Sequence, residues 1–182
     1  EKILDAAETL FGVHGFAAVS LRDITTEAGV TLALASYHFG TKERLFEGVV
    51  ARRAEVLCRE REARLDALVA PSAHDILDAF FAPLFDKAAP DDPGWTAYFR
   101  VLARLGEGDE WLALLSRHFD DTARRFVAAL RAALPGADPD ALDRGFAMAL
   151  HAMLAAVSRH GRPASLSEGR VDPRDLTAAK AT

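Results

Sequence analysis

Apolar residues recur at helical spacing along the whole chain, and this feature restricts the fold more than any other. The first segment carries Ile3, Leu4, Ala7 and Phe11, which are three or four residues apart and so share one face of a helix. No segment shows the sustained alternation of a half-buried strand, and the abundant Ala, Leu, Arg and Glu favour helix. The sequence therefore predicts an all-α protein.

Residues that cap helix N-termini divide this pattern into segments. Ser20 and Ser72 are each followed three residues later by Asp, which resembles a capping box. Asp92, Asp138 and Asp172 each precede a proline, and proline is tolerated at the first helical position. We predict a loop over 160–171 and helices over 1–14, 21–28, 32–39, 42–69, 73–88, 93–107, 110–134 (with a candidate break near 118–120), 139–160 and 173–180.

The short helices cluster at the front of the chain. They precede one long helix that begins at Lys42, after which the helices are larger and amphipathic. This change of scale predicts two domains: an N-terminal three-helix module over residues 1–48, and a C-terminal helical bundle over residues 49–182.

Composition limits the classes of function. Half of the residues are hydrophobic, which is enough for a sizeable core. The net charge of −5 argues against indiscriminate binding of nucleic acid but allows a local DNA-binding surface. No apolar run approaches the roughly 18 residues of a transmembrane helix, so we expect a cytoplasmic protein that does not engage the membrane. The single cysteine, Cys58, excludes an internal disulfide, and the histidines show no metal-ligand spacing, so we expect no cofactor.

A helix-turn-helix pattern lies between Leu21 and Phe39. Gly29 can take the positive φ that ends the first short helix, and the second helix of such a unit lies in the major groove of DNA. Many helical hairpins share this spacing, so spacing alone leaves DNA binding open. The residues predicted to form a small core with the first helix are Leu21, Ile24, Ala28, Val30, Leu34 and Phe39.

The residues themselves are more specific than the spacing. "ILDAAETLFGVHGFAAVSLRDITTEAGV" followed by "SYHFGTKERLF" closely resembles the TetR family of bacterial transcriptional regulators over residues 1–48. The recognition helix, with Leu32-Ala33-Leu34-Ala35-Ser36 before the tyrosine, is similar to a subgroup that includes regulators of fatty-acid metabolism. The resemblance implies a homodimeric repressor that binds double-stranded operator DNA and responds to a small molecule.

The family's DNA-binding residues can be carried over to matching positions. Thr31 corresponds to the Ser or Thr that begins the recognition helix, Tyr37 and His38 to backbone contacts, and Lys42 to a phosphate-binding lysine. Leu32 and Ala33 can pack on a thymine methyl, whereas Leu34 is interpreted as core. The predicted DNA-binding residues are Ser20, Thr31, Leu32, Ala33, Ser36, Tyr37, His38 and Lys42.

The C-terminal part is rich in aromatic residues at helical spacing, and ordinary core packing accounts for more than half of them. The family places its effector cavity between these helices, so a hydrophobic effector, such as a fatty acid or an acyl conjugate, is one hypothesis. The predicted effector-binding residues are Phe81, Phe85, Tyr98, Phe99, Trp111 and Phe119.

The last two large helices are expected to form the dimer interface, as in the family. A dimer meets a physical need, because one short helix reads few base pairs and a palindrome is read twice. The predicted interface residues are Phe126, Val127, Leu130, Phe146, Ala149, Met153 and Val157.

Two other functions stay open at this point. The chain could be a helical carrier or an enzyme whose DNA module no longer works, although it has no nucleophile-base pair or phosphate loop at recognisable spacing. It could also be a DNA-binding protein that responds to no ligand.

Overall fold

The computed structural model describes residues 1–88, 92–106 and 108–181, and all regular secondary structure in that part of the chain is helical. The predicted all-α class is confirmed. The helices are α1 (Lys2–His14), α2 (Leu21–Glu27), α3 (Leu32–Phe39), α4 (Lys42–Asp66), α5 (Ala73–Ala88), α6 (Pro93–Leu105), α7 (Leu112–Ala133), α8 (Pro139–Val157), α9 (Arg162–Leu166) and α10 (Leu176–Ala181), with a 3-10 turn at Asp109–Trp111.

Side-chain caps fix most of the predicted helix starts. The Ser20 hydroxyl accepts from the Asp23 N–H, while the Asp23 carboxylate accepts from the Ser20 hydroxyl and N–H, so the capping box is complete. These hydrogen bonds hold the pKa of Asp23 below its usual value. Ser72 and Asp75 form the same arrangement before α5, and the Asp92 carboxylate accepts from the N–H groups of residues 94 and 95.

Three segments differ from the prediction. α7 runs without a break through residues 118–120, since His118, Phe119 and Asp120 include neither the proline nor the glycine that would interrupt a helix. The predicted loop over 160–171 contains the short α9, with Pro163 in its first turn. The last helix begins at Leu176 rather than after Pro173. Residue 107, the predicted end of one helix, lies outside the described residues.

The hydrophobic core is continuous between the N-terminal helices and the body. Phe11 and Phe46 are buried with Tyr98, Phe99 and Leu105 in one cluster that reaches α8 and α10. A second cluster lies between α5, α7 and α8, and its buried members include Phe80, Phe126, Leu130 and Phe146. α4 runs through both regions, so the predicted division near residue 48 falls inside a single helix.

α1 packs against α6 along a close seam. The Cβ that any other residue would place at Gly12 would lie 2.6 Å from the Ala97 carbonyl oxygen and 3.0 Å from its Cα. A Cβ atom cannot lie this close to the backbone of another helix, so only glycine lets α1 and α6 approach this closely. The seam attaches the N-terminal module to the body.

No helix within the described ranges has both the length and the apolar content needed to cross a membrane.

Replacing Gly12 by Ala tests the α1–α6 seam. We expect Gly12→Ala to lower the free energy of unfolding by about 1–3 kcal/mol, because the helices must separate to admit the methyl group. Chemical denaturation measures this change. The matched control is Gly48→Ala in α4, where the new Cβ meets only side-chain atoms at 3.4 and 3.7 Å; helix propensity should leave that variant equal to or more stable than wild type by up to ~1 kcal/mol. Equal stability of the two variants would show that the seam tolerates the methyl.

Candidate nucleic-acid interface

The outer face of α3 is exposed and mostly apolar. Ala35 is fully buried, whereas Leu32 is 41% and Tyr37 84% exposed. Ala33, Ser36 and His38 are also exposed. Exposed apolar and aromatic side chains grouped on one short helix are typical of an interaction surface.

Leu34 does not belong to the core, contrary to the prediction. It is 42% exposed, since Ala35 and Phe39, four residues apart, define the inward face of α3, and a neighbouring residue points about 100° away. The other predicted members of the small core are buried or partly buried, with Ile24 at its centre. The outer face of α3 is therefore more apolar than predicted.

Thr31 is the N-cap of α3. Its hydroxyl oxygen accepts from the Leu34 N–H at 3.3 Å, which leaves the hydroxyl proton available for donation. Ser20 is exposed but has its own hydroxyl proton on the Asp23 carboxylate at 2.6 Å. Thr31 therefore has a hydroxyl proton free for donation, whereas Ser20 does not.

Lys42 contacts the turn between α1 and α2. Its Nζ donates to the Phe16 carbonyl at 3.0 Å and lies 4.1 Å from the centroid of the Phe16 ring, which adds a cation–π contact. The ammonium thus fixes the start of α4 against this turn, a role that its sequence position did not reveal.

Arg44 is a second cation at the start of α4, and it was not among the predicted DNA-binding residues. It is exposed, its guanidinium lies beside the α3–α4 corner at Gly40, and no carboxylate of the described residues is within ion-pair distance of it. Glu43 occupies the same turn, and its own backbone N–H and the Thr41 hydroxyl lower the pKa of its carboxyl group. The Glu43 carboxylate therefore already occupies the N-terminus of α4. Positive charge for an anion at this corner comes from side chains such as Arg44, and not from the free N–H groups of the helix.

The six predicted effector-binding residues all belong to, or pack against, the first hydrophobic cluster, but their ring contacts lie in different parts of it. Tyr98 and Phe99 are fully buried neighbours in α6, and the Tyr98 hydroxyl donates to the Val50 carbonyl at 3.0 Å. Trp111 packs against Phe16 and Phe46 instead, at centroid distances of 4.9 and 4.8 Å. Its indole therefore belongs to the junction with the N-terminal module.

The remaining three residues lie in the body. Phe81 is half-buried and contacts Phe80 and Phe146, Phe85 is buried in the first cluster, and Phe119 packs on that cluster from α7. A cavity of about 380 Å³ lies elsewhere and is lined by Arg100, Arg159, Pro173 and Arg174. Its lining is basic and includes none of the predicted effector-binding residues.

Most of the predicted dimer residues face the interior of their own protomer. Phe126, Leu130 and Phe146 are buried in the second cluster, and Met153 and Val157 are buried in the first. Val127 and Ala149 are only partly covered. The reason is that α7 and α8 carry apolar residues on two faces, and the larger side chains turn inward.

The opposite face of α8 is exposed and lined by small residues around one methionine. Met148 is 72% exposed, and it lies in a series with alternating spacings of four and three residues. That spacing is the seam pattern of helices that pair side by side. The exposed members of the series are Ala141, Gly145, Met148, Ala152 and Ala155.

Comparisons with known proteins agree with this arrangement. The family model described as "Bacterial regulatory proteins, tetR family" matches residues 3–49, and "Tetracyclin repressor-like, C-terminal domain" matches residues 78–182. Among characterised proteins, the HTH-type transcriptional regulator BetI of Rhizobium meliloti is 26% identical over 167 residues, which cover 90% of this chain and 80% of that protein.

Solved structures share the fold at low sequence identity. The fatty acid degradation regulator FadR from Bacillus halodurans superposes with a TM-score of 0.64 at 14% identity, covering 98% of this chain and 90% of that one. A protein from Saccharomonospora viridis in complex with choline gives 0.61 at 18% identity, with coverage of 99% and 92%. With two family models that together span most of its length, this chain belongs to the TetR family of DNA-binding, helix-turn-helix transcriptional regulators.

Proposed function

We propose that this protein is a homodimeric repressor that binds a palindromic operator and is released from it by a small hydrophobic effector, such as a fatty acid or an acyl conjugate. It would act on DNA in the cytoplasm. The observation that carries the DNA-binding proposal is the exposed apolar face of α3, which ends in Tyr37 and His38 and lies next to the cations of α4.

Specificity on this surface would come from shape and apolar contacts. Leu32 and Leu34 project from a helix that has no charged side chain before His38, and apolar side chains recognise the thymine methyl in the major groove. Thr31 adds one free hydroxyl proton for a base edge or a phosphate. The first part of this helix can approach the groove closely because Ala33 and Ser36 have short side chains.

Affinity would come from neighbouring cations and from the end of α3. Arg44 is exposed without a carboxylate partner among the described residues, so its guanidinium is available to bind phosphate in two-point fashion. Tyr37 and His38 supply further donors for the DNA backbone. Lys42 is better assigned to positioning, since its ammonium is held by the Phe16 carbonyl and ring.

The dimer would form through the seam of α8 that contains Gly145 and Met148. Small residues let two helices approach closely, and Met148 fills the space between them. The same face repeats on the second protomer of a twofold dimer, so two copies of α8 with the neighbouring α7 make a four-helix contact. Two α3 helices then read the two halves of a palindrome.

The proposed effector is a small molecule that would bind in the C-terminal body. Two proteins of the same fold support an effector of this size: the Saccharomonospora viridis protein is in complex with choline, and the Bacillus halodurans protein is a regulator of fatty acid degradation. Burial raises the pKa of the Cys58 thiol, which opposes formation of a reactive thiolate and disfavours an enzyme that would use this thiol as nucleophile.

Selection of bound sequences from a random DNA pool tests the function as a whole. We expect one enriched sequence with twofold symmetry. Enrichment of no sequence would contradict the DNA-binding proposal.

Arg44→Ala tests the phosphate contact. We expect weaker binding to every sequence and a slope of log K against log salt that is smaller by about 0.9 for each half-site, because one phosphate contact is lost per protomer. Fluorescence anisotropy at several salt concentrations measures the slope. The control is Arg59→Ala, an exposed arginine of the same helix that pairs with Glu55 and lies far from α3. An unchanged slope in Arg44→Ala would exclude the contact.

Leu32→Ala tests direct readout by α3. We expect the selected operator to lose preference at one base pair per half-site, with a discrimination loss of about 1 kcal/mol, while the salt slope stays that of wild type because no charge changes. Repeating the selection with the variant measures this. If the preferred sequence is unchanged, Leu32 does not read a base.

Met148→Glu tests the dimer seam. We expect the dimer dissociation constant to rise by at least about tenfold, because two carboxylates would meet near the twofold axis in a contact that excludes water. Thermal unfolding of the protomer should change little, since this side chain is exposed within it. Sedimentation velocity across a dilution series measures the constant, and Met148→Leu is the control that keeps the apolar contact. A dimer equally stable in all three proteins would place the interface elsewhere.

A further inference from the structure

Arg61 of α4 is a buried cation in the centre of the body. The residue is only 4% exposed. Its guanidinium carbon lies 3.8 Å from the centroid of the Phe80 ring, and its Nε donates to the Phe80 carbonyl at 2.9 Å. A side chain of this kind is almost never fully buried without a charged partner.

The described residues provide Arg61 with no such partner. Four other arginines of α4, namely Arg52, Arg53, Arg59 and Arg64, each lie within 4 Å of a carboxylate. No carboxylate of the described ranges is that close to Arg61. Its guanidinium has five N–H donors, and the hydrogen bond to Phe80 uses one of them.

The groups around Arg61 do not neutralise it. Burial lowers its pKa to about 10, so the guanidinium stays protonated near neutral pH. Its electrostatic neighbours are Cys58 and Tyr98, and burial raises the pKa of both, so both stay uncharged. Glu62, the next residue, is turned toward Thr122 and Arg125. The terminal nitrogens of Arg61 have no hydrogen-bond partner among the described residues, and they are not among the fully buried unpaired atoms there. A largely buried charge without a counter-charge is costly, and an anion that reaches these nitrogens would reduce this cost.

We infer that Arg61 is the binding site for the acid group of the effector, which is therefore an apolar carboxylate. This inference rests on the proposed effector response and specifies its chemistry. The guanidinium can hold a carboxylate through two parallel hydrogen bonds. Phe80, Phe81 and Phe146 pack on one another in the second cluster, so an apolar tail would enter by displacing side chains of this cluster.

The same arrangement disfavours a cationic effector such as a quaternary ammonium. Such a ligand would meet a like charge, and one face of the Phe80 ring, which could otherwise bind it by a cation–π contact, is already covered by Arg61. Arg61 would therefore attract an apolar carboxylate and repel a quaternary ammonium.

The test compares three probes of equal chain length on the full protein: dodecanoate, dodecanol and dodecyltrimethylammonium. We expect dodecanoate to bind about 30-fold or more tightly than dodecanol, since a buried, hydrogen-bonded charge pair is lost with the alcohol. Arg61→Met should remove this difference, while Arg59→Met, which removes an exposed arginine of the same helix, should preserve it. Isothermal titration calorimetry measures the affinities, with octanoate and hexadecanoate as further acids.

A second variant covers the case in which Arg61→Met does not fold. Arg61→Lys keeps the charge but loses the planar fork, so we expect acid binding about tenfold weaker than in wild type. The inference is overturned if no acid binds, if acid and alcohol bind wild type equally, or if the Arg61 variants bind dodecanoate as tightly as wild type. In that case Arg61 only joins α4 to α5.

The outcome for DNA is read separately. Operator binding by wild type is measured without any probe and then with dodecanoate. Absence of operator binding without a probe would contradict the proposed regulator, whereas acid binding that depends on Arg61 would still stand as a property of the body. Acid binding without release of the operator would overturn the assignment of that acid class as effector.

Discussion

The buried carboxylate of Glu8 organises the junction on which the DNA-binding module depends. It is 1% exposed, and its two oxygens accept from Arg53 at 2.6 Å and from Arg52 at 2.9 Å. Arg53 also lies over the Trp95 ring of α6, so one cluster joins α1, α4 and α6. A buried carboxylate without these partners would be strongly destabilising. The Gly12–Ala97 approach lies on the same seam and requires the same alignment of α1 and α6.

This junction makes the module and the body move together. Phe16, Phe46 and Trp111 pack across it, and Arg104 of α6 donates to the Val13 carbonyl. Rigid aromatic packing and a buried ion cluster resist independent rotation of the two parts. An effector that shifts α4 or α6 would therefore change the placement of α3. Regulation by a ligand requires that the ligand bind the shifted state more tightly than the DNA-binding state.

The sequence predicted the parts of this structure that local chemistry determines. Helix caps and turns could be predicted because each depends on one residue type and its immediate neighbours in sequence. Examples are the caps at Ser20, Thr31 and Asp92 and the turn at Gly29. The spacing of apolar residues could not show which apolar face of α8 is buried within the protomer. Small residues such as Gly145 and Ala152 are only weakly hydrophobic, so they do not mark a face clearly. The roles of Lys42, Arg44 and Arg61 depend on what the folded chain places beside them, and spacing along a helix does not contain that information.

α4 connects the proposed ligand site with the proposed DNA surface. Arg61 and Arg44 are 17 residues apart on one uninterrupted helix, a separation of about 26 Å at 1.5 Å per residue. A tilt of α4 by about 5° around Arg61 would move its N-terminus by roughly 2 Å, close to the tolerance of a phosphate hydrogen bond. A twofold dimer binds both half-sites at once. The same shift in each protomer therefore doubles the change in the distance between the two α3 helices. A small adjustment at a buried arginine is thus sufficient, in geometric terms, to weaken binding to an operator of fixed half-site spacing.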